Sequence, residues 1–545
     1  MIAQGFSMLR QWCWCAAIIL SVLAVPGYAQ KPVPAASAAE ASTFDVLEFV
    51  IDGNTVLPRT MVEKAIYSFL GERRTIKDVE SARDALERAY HDAGYLSVVI
   101  DIPEQKVDER VVRLQVVEGR VDRLKVTGSR YYTLGQIRAS VPALAAGEVP
   151  YFPQAQDQLA KLSTAADRKV TPVLRPGSAP GKLEVDLKVD DRLPVHGSLE
   201  LNNRRSADTK PLRLAAALRY DNLWQRGHSA ALSFQTSPED TKQVKALFGS
   251  YTMTLPNSDK VLAVYAVNTS SSVSTVGGTN VLGDGTIVGA RMISPLPGRS
   301  NFSHSLTLGM DYKHFGEATK LTGADTVRTP ISYIPFLIGY NATSQDDSGI
   351  TQLGATFNFG VRGIGDQRID CFGQFINEFA CKRFNASSNY SYVRAEASRT
   401  HTLPRGFTLF GKLDVQYSGQ PLISNEQFSA GGGDTVRGYY ESEVLGDEGF
   451  RGTIELRSPS LFAGDAKDAW GQLNVIAFFD GAALKVVEPL PSQTSRFTIS
   501  SAGVGLRLKA VRGFVASVDI ARPLRGTNRT PSGATRGTFR VAYEF

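Results

Sequence analysis

From Pro194 to Phe545 the chain alternates apolar and polar residues in segments of roughly ten, separated by turns rich in Gly, Asn, Asp and Ser. Over Leu212 to Tyr220 the residues Leu212, Leu214, Ala216, Leu218 and Tyr220 share one face, opposite Arg213 and Arg219. Over Thr408 to Tyr417 the residues Leu409, Gly411, Leu413, Val415 and Tyr417 oppose Lys412, Asp414 and Gln416. A period of two puts one face against an apolar medium and the other against water. The pattern predicts an antiparallel β-barrel.

Before Pro194 the period changes to that of helices mixed with strands. Residues 44–119 read as a strand (Leu47 to Ile51), a turn (Asp52-Gly53-Asn54) and a helix with Met61, Val62, Ala65, Ile66, Phe69 and Leu70 on one face, ended by Gly71. A second helix carries Val79, Ala82, Leu86 and Ala89 and stops at Gly94, and strands follow at Leu96 to Ile102 and Val111 to Val117. Residues 120–191 repeat this order more loosely: a strand at Val121 to Val126, helical segments near Leu134 to Ser140 and Pro153 to Ala166, and strands at Val170 to Leu174 and Leu183 to Val189. Two small α+β domains are thus expected ahead of a barrel spanning 194–545.

The N-terminus adds a compartment. Arg10 precedes the apolar run Ala16 to Val25, and Gly27 and Ala29 stand three and one before a cut after Ala29, the pattern of a secretory signal peptide over 1–29. Residues 30–43, rich in Ala, Pro and Ser, read as a flexible lead. No later stretch is long and apolar enough for a membrane helix, so a membrane-spanning mature chain must cross as a closed barrel, which leaves no backbone group unpaired in lipid.

Cleavage removes Cys13 and Cys15, leaving Cys371 and Cys381 as a candidate disulfide and loop staple; no histidine cluster accompanies them, so a metal site is not expected. A formal charge of +6 with basic residues spread along the chain implies no nucleic-acid partner. Nucleophile elbow, zinc-spaced histidine pair and phosphate loop are all absent from the sequence. His91, His196, His228, His304, His314 and His401 are scattered without i, i+4 pairing and read as structural or solvated. Neither an enzyme nor a cofactor is expected.

One stretch fits neither pattern. Gly431 to Gly449, GGGDTVRGYYESEVLGDEG, is too glycine-rich for a helix and too charged for a core strand, and reads as a long ordered loop presenting Arg437. Folded inside a barrel, Arg437 would need a carboxylate, because an unpaired buried charge costs about 3–5 kcal/mol. Asp480, at the end of the apolar strand Phe478-Phe479-Asp480, is the candidate. Val-Arg-Gly also occurs at 361–363 and 511–513, but only this copy lies in a Gly/Asp-rich loop.

Together Glu426-Gln427-Phe428, the three glycines, Val436-Arg437-Gly438-Tyr439, Gly446-Asp447 and Phe478-x-Asp480 resemble the loop and strand motifs of two-partner secretion transporters, the ShlB/FhaC type of the barrel-assembly superfamily. One departure stands out: the family pattern is Phe-x-Asp-x-Gly, whereas here Gly481 directly follows Asp480 and Ala482 takes the next place. Ala93-Gly94-Tyr95 and Val117-Glu118-Gly119-Arg120-Val121 resemble polypeptide-transport-associated (POTRA) domains. Phe539, Val541, Tyr543 and Phe545 look like the C-terminal signal by which outer-membrane barrels are recognised.

The resemblance implies sixteen strands, a lumen loop over 431–449 and an outer-membrane location with periplasmic POTRA domains. By implication those domains capture a secreted exoprotein of adhesin or cytolysin type, which threads through the barrel and folds outside. The protein would act as a monomer, in contact with outer-membrane lipid, after insertion by the barrel-assembly machinery. An insertion factor of the same superfamily is the alternative, and a passive porin a further one.

Overall fold

The computed structural model describes residues 43–545 apart from 108, 164, 208, 257, 277–278, 321–325, 372, 463–469 and 492. The expected signal peptide and, Thr43 excepted, the expected flexible lead lie outside the described residues. The chain divides into two compact units at Gly119/Arg120.

In the first unit the strand Val111–Glu118 lies between Glu48–Asp52, to which it is parallel, and Val98–Asp101, to which it is antiparallel. Alternation buries Val112, Leu114 and Val116 on one face of that strand. The helix Ile76–Asp92 starts at a capping box made by Thr75 and Asp78 and turns Val79, Ala82, Leu86 and Tyr90 into the core. The other helix, Arg59–Ile66, ends earlier than its apolar face suggests, and a 3-10 turn, Tyr67–Phe69, follows. Gly71, at φ +138°, does not cap it. That conformation swings the chain into an extended segment, Gly71–Arg74, which pairs with Phe44–Val46.

The second unit opens with a module of the same topology. Its strand Lys182–Asp191 is parallel to Arg120–Thr127 and antiparallel to Arg168–Pro176. Helices Leu134–Ala139 and Phe152–Leu162 cover the sheet around Val121, Ile137, Leu144 and Leu187. Asp191 closes the module: its carboxylate accepts from the Ser129 hydroxyl and from the backbone N–H groups of Arg130, Tyr131 and Tyr132 at 2.8 to 3.3 Å. Burial alone would raise its pKa, and these donors outweigh burial and hold the carboxyl below the usual range.

The rest is a closed antiparallel barrel of sixteen strands, from Val195–Asn202 to Arg536–Glu544. Thr326–Tyr333 and Pro335–Asp346 both pair with Phe302–Lys320 and form one strand interrupted at Ile334. The first strand leads away from the second module, so short turns such as 347–348 lie on the module side and long connections, 361–390 and 418–447, on the far side. Leu218, Leu413, Ile454, Phe479 and Ile520 form part of an exposed apolar outer face, while Arg213, Gln416 and Asp480, on the opposite face of their strands, are buried. Among the described residues no helix is long and apolar enough to cross a membrane. At the seam Phe545 exchanges two backbone hydrogen bonds with Gly197, at 2.9 and 3.0 Å, and its ring lies where a Cβ on Gly197 would be, 2.2 Å from Cζ. Tyr543 stacks on Phe545 and both rings are exposed. Phe539 and Val541 are half-buried on the same strand.

Candidate functional site: the lumen loop and its anchors

The connection 418–447 does not extend outward. Its hairpin, Phe428–Ala430 with Val444–Gly446, packs Phe428, Val436, Tyr439 and Val444 against Ala482, Leu484 and Ile499 on the inner wall. Gly438, at φ +90°, sits so close to the wall that a Cβ would lie 3.1 Å from that of Ala521, so the tip needs glycine for conformation and for space.

Beside it Arg437 is 4% exposed and Asp480 0%. The guanidinium donates from Nε and Nη2 to the two carboxylate oxygens of Asp480, both at 2.7 Å, and the Arg437 backbone N–H donates to Oδ2 at 3.0 Å. Nη1 donates to Glu455 Oε1 at 2.7 Å and Nη2 to Thr453 Oγ1 at 2.9 Å. The Thr453 hydroxyl donates to Asp480, and the Phe478 ring centre lies 3.5 Å from the guanidinium carbon. A fork-shaped cation on a carboxylate, with its flat face on an aromatic ring, is the most geometrically demanding pairing arginine makes. Glu455 also holds Arg457 at 2.7 Å, so two arginines and two acids balance. Tyr439 donates its hydroxyl to the Arg525 carbonyl at 2.6 Å.

The motif departure has a local consequence: Gly481 leaves the wall open, its missing Cβ at least 3.9 Å from any neighbour, and the Ala482 methyl joins the apolar cluster beneath the loop. Cys371 and Cys381 are bonded to each other within 361–390.

Sequence reasoning missed several anchors. Glu455 carried a signal, an acid at an inward-facing place of the strand after the loop. Asp447 and Glu426 were noticed as motif residues without partners. Asp447, 0% exposed, is gripped by Arg383 and accepts from the backbone N–H groups of Leu422 and Val487 at 3.0 and 2.7 Å. Glu426 receives Lys313 Nζ and the Tyr333 hydroxyl at 2.6 Å and the Tyr392 hydroxyl at 2.7 Å. These partners come from distant strands and loops, and only the barrel's closure brings them together. His196, read as scattered, joins Asp167 at 3.0 Å and Asp221 at 3.5 Å, fastening the second module to the first two strands.

A sixteen-stranded barrel with an arginine-bearing loop drawn into its lumen and an α+β module leading into its first strand defines an outer-membrane translocation barrel. The chain belongs to the haemolysin secretion/activation protein ShlB/FhaC/HecB family, whose model matches residues 181–508, and a ShlB-type POTRA domain matches residues 44–119. It is similar to the outer membrane transporter CdiB of Dickeya dadantii (strain 3937), with 22% identity covering 77% of this chain and 73% of the relative. The same-named protein of Escherichia coli O6:K15:H31 is 23% identical over 90% of this chain and 82% of its own. Among solved structures, CdiB from Escherichia coli superposes with a TM-score of 0.65 at 20% identity, covering 94% of this chain and 93% of that one. BamA from Haemophilus ducreyi lacking POTRA domains 1-3 superposes at 0.55 with 13% identity, covering 92% and 100%, a likeness of fold. The protein is a two-partner secretion transporter of the outer membrane, serving a secreted exoprotein, with its POTRA domain in the periplasm.

Proposed function

We propose that Arg437 and Asp480 form the latch that places the lumen loop across the translocation path, so that export requires the latched loop as a defined starting state. The two-pronged grip of Arg437 on Asp480 at 2.7 Å, in a place with almost no water access, carries this reading. Residues 120–191 act as a second POTRA domain, sharing the topology of residues 44–119. Their sheet edges offer main-chain hydrogen bonds to an extended client largely regardless of its sequence. The client is a large exoprotein of adhesin or cytolysin type; that a client is exported is supported by relatives named for transport. Its folding outside supplies the drive. Phe539, Val541, Tyr543 and Phe545 serve as the signal for insertion by the barrel-assembly machinery, and the working unit is a monomer.

Arg437→Ala and Asp480→Ala are expected to leave a heat-modifiable, inserted barrel that no longer exports. Normal export by either variant would refute the latch. A second reading, insertion of client barrels at an opening seam, draws on one observation: the first and last strands pair over five ladder residues and the Phe545–Gly197 pair beyond them, where the first and second pair over eight. Deleting the gene separates the two readings. Loss of a single exoprotein from the surface supports secretion, and broad loss of outer-membrane proteins supports insertion.

A further inference from the structure

A second anchor holds the lumen loop at its root, and it belongs to a different element. The insert 361–390 contains the ladder Arg368–Cys371 with Gln374–Asn377 and the short helix Glu378–Lys382, stapled by the Cys371–Cys381 bond. It is built rather than loose. Asp366 accepts from Gly363 N–H, Asn377 Nδ2 and the Ser388 hydroxyl at 2.7 to 2.8 Å, and Glu378 accepts from the backbone of Gln367 and of the barrel residue Ser332 at 3.0 and 3.1 Å.

Arg383 follows that helix directly. Its guanidinium grips both carboxylate oxygens of Asp447, donates to the Leu422 carbonyl and reaches the Val487 carbonyl at 3.0 Å. Insert, loop root and the neighbouring connection after Lys485 therefore meet at one ion pair. Beneath it lies an apolar core where a conduit would be expected to be wet: Phe379 and Tyr390 of the insert and Leu422 and Ile423 of the loop root pack on the inward-facing Phe315 and Tyr333, all 2% exposed or less. Besides Arg383, the insert meets the loop root and the neighbouring connection through the exposed Gln420–Asn389 and Asn385–Glu488 hydrogen bonds at 3.5 and 2.7 Å, so the buried part of the fastening is the Arg383–Asp447 pair and the apolar contact.

We infer that the insert is an exit gate and that Arg383 is the positioning residue latching it to the root of the lumen loop. The inference rests on reading that loop as the element latched across the path, but assigns the outer seal to a separate pair of residues. Resting permeability is set by Arg383 and Asp447, whereas export competence is set by Arg437 and Asp480. The staple makes the insert move as one piece, so the gate is expected to swing rather than unravel.

Ion conductance of the full-length protein in planar bilayers tests this, alongside exoprotein export in cells. Arg383→Ala is expected to give an inserted, heat-modifiable barrel that is open about tenfold more often than the wild type, since removing one partner of a buried pair leaves the other uncompensated. Arg383→Lys, which keeps the charge but loses the fork, should fall between the two, and guards against a simple folding defect. Phe379→Ala should open the seal with Arg383 intact. Wild-type conductance in Arg383→Ala overturns the gate, as does loss of export without any change in conductance. If Arg437→Ala exports normally while Arg383→Ala leaks, the latch reading fails and the gate stands.

Discussion

The POTRA domain of residues 44–119 and the lumen loop are ordered by different means. The domain is held by apolar burial: Leu86, Tyr90 and Leu114 are 0% exposed, and its ion pairs lie at the surface. The loop adds buried charge to its apolar cluster, with Arg437, Asp447 and Asp480 each 4% exposed or less. Apolar packing weakens gradually with each atom removed, whereas a buried ion pair fails almost completely when one partner goes. A part that only has to persist suits the first kind of bonding. A part that must hold one position and then release it suits the second.

That contrast sets an order of effects. Asp480→Ala should release the loop at a local cost of about 3–5 kcal/mol, toward the lower end because Glu455 keeps one prong of Arg437. Protease added to intact cells should then cut within 431–449 far faster than in the wild type, and unchanged protection would break the comparison. Leu86→Ala should cost about 2–5 kcal/mol, confined to the POTRA domain, because it leaves a cavity under the helix Ile76–Asp92. Hydrogen exchange should quicken across that domain and leave the barrel strands untouched.

Asp191 sharpens the contrast, being a buried acid that serves only structure. Its folded pKa is depressed, so its stabilisation is present above the unfolded value, about 3.9, and is lost as pH falls through the lower folded value. Exchange protection of residues 120–191 should therefore fall below about pH 4, and Asp191→Asn should remove that pH dependence at a cost of about 1–3 kcal/mol. Smallest of all, Arg59→Ala breaks a pair whose side chains are 92% and 59% exposed and should leave thermal unfolding unchanged.

Legibility in the sequence followed the same division. Period-two alternation exposed the barrel because every strand separates lipid from lumen, and period 3.6 exposed the helix carrying Val79, Ala82 and Leu86. Gly71 misled because a glycine after an apolar helical face fits both a cap and the start of an extended segment, and pairing with Phe44–Val46 decides between them. Arg437 and Asp480 were readable as a couple because a lone arginine in a glycine-rich loop needs an acid. Arg383 and Lys313 gave no such signal: each is an ordinary basic residue until closure of the barrel brings it to an acid 64 or 113 positions away.

The most direct test of the latch is quantitative export in a strain carrying Arg437→Ala, with the exoprotein measured in medium, surface and periplasm beside the full outer-membrane protein profile. The latch account predicts exoprotein held or degraded in the periplasm, with the variant barrel inserted and other outer-membrane proteins at normal levels. Wild-type export from an inserted Arg437→Ala barrel would contradict it.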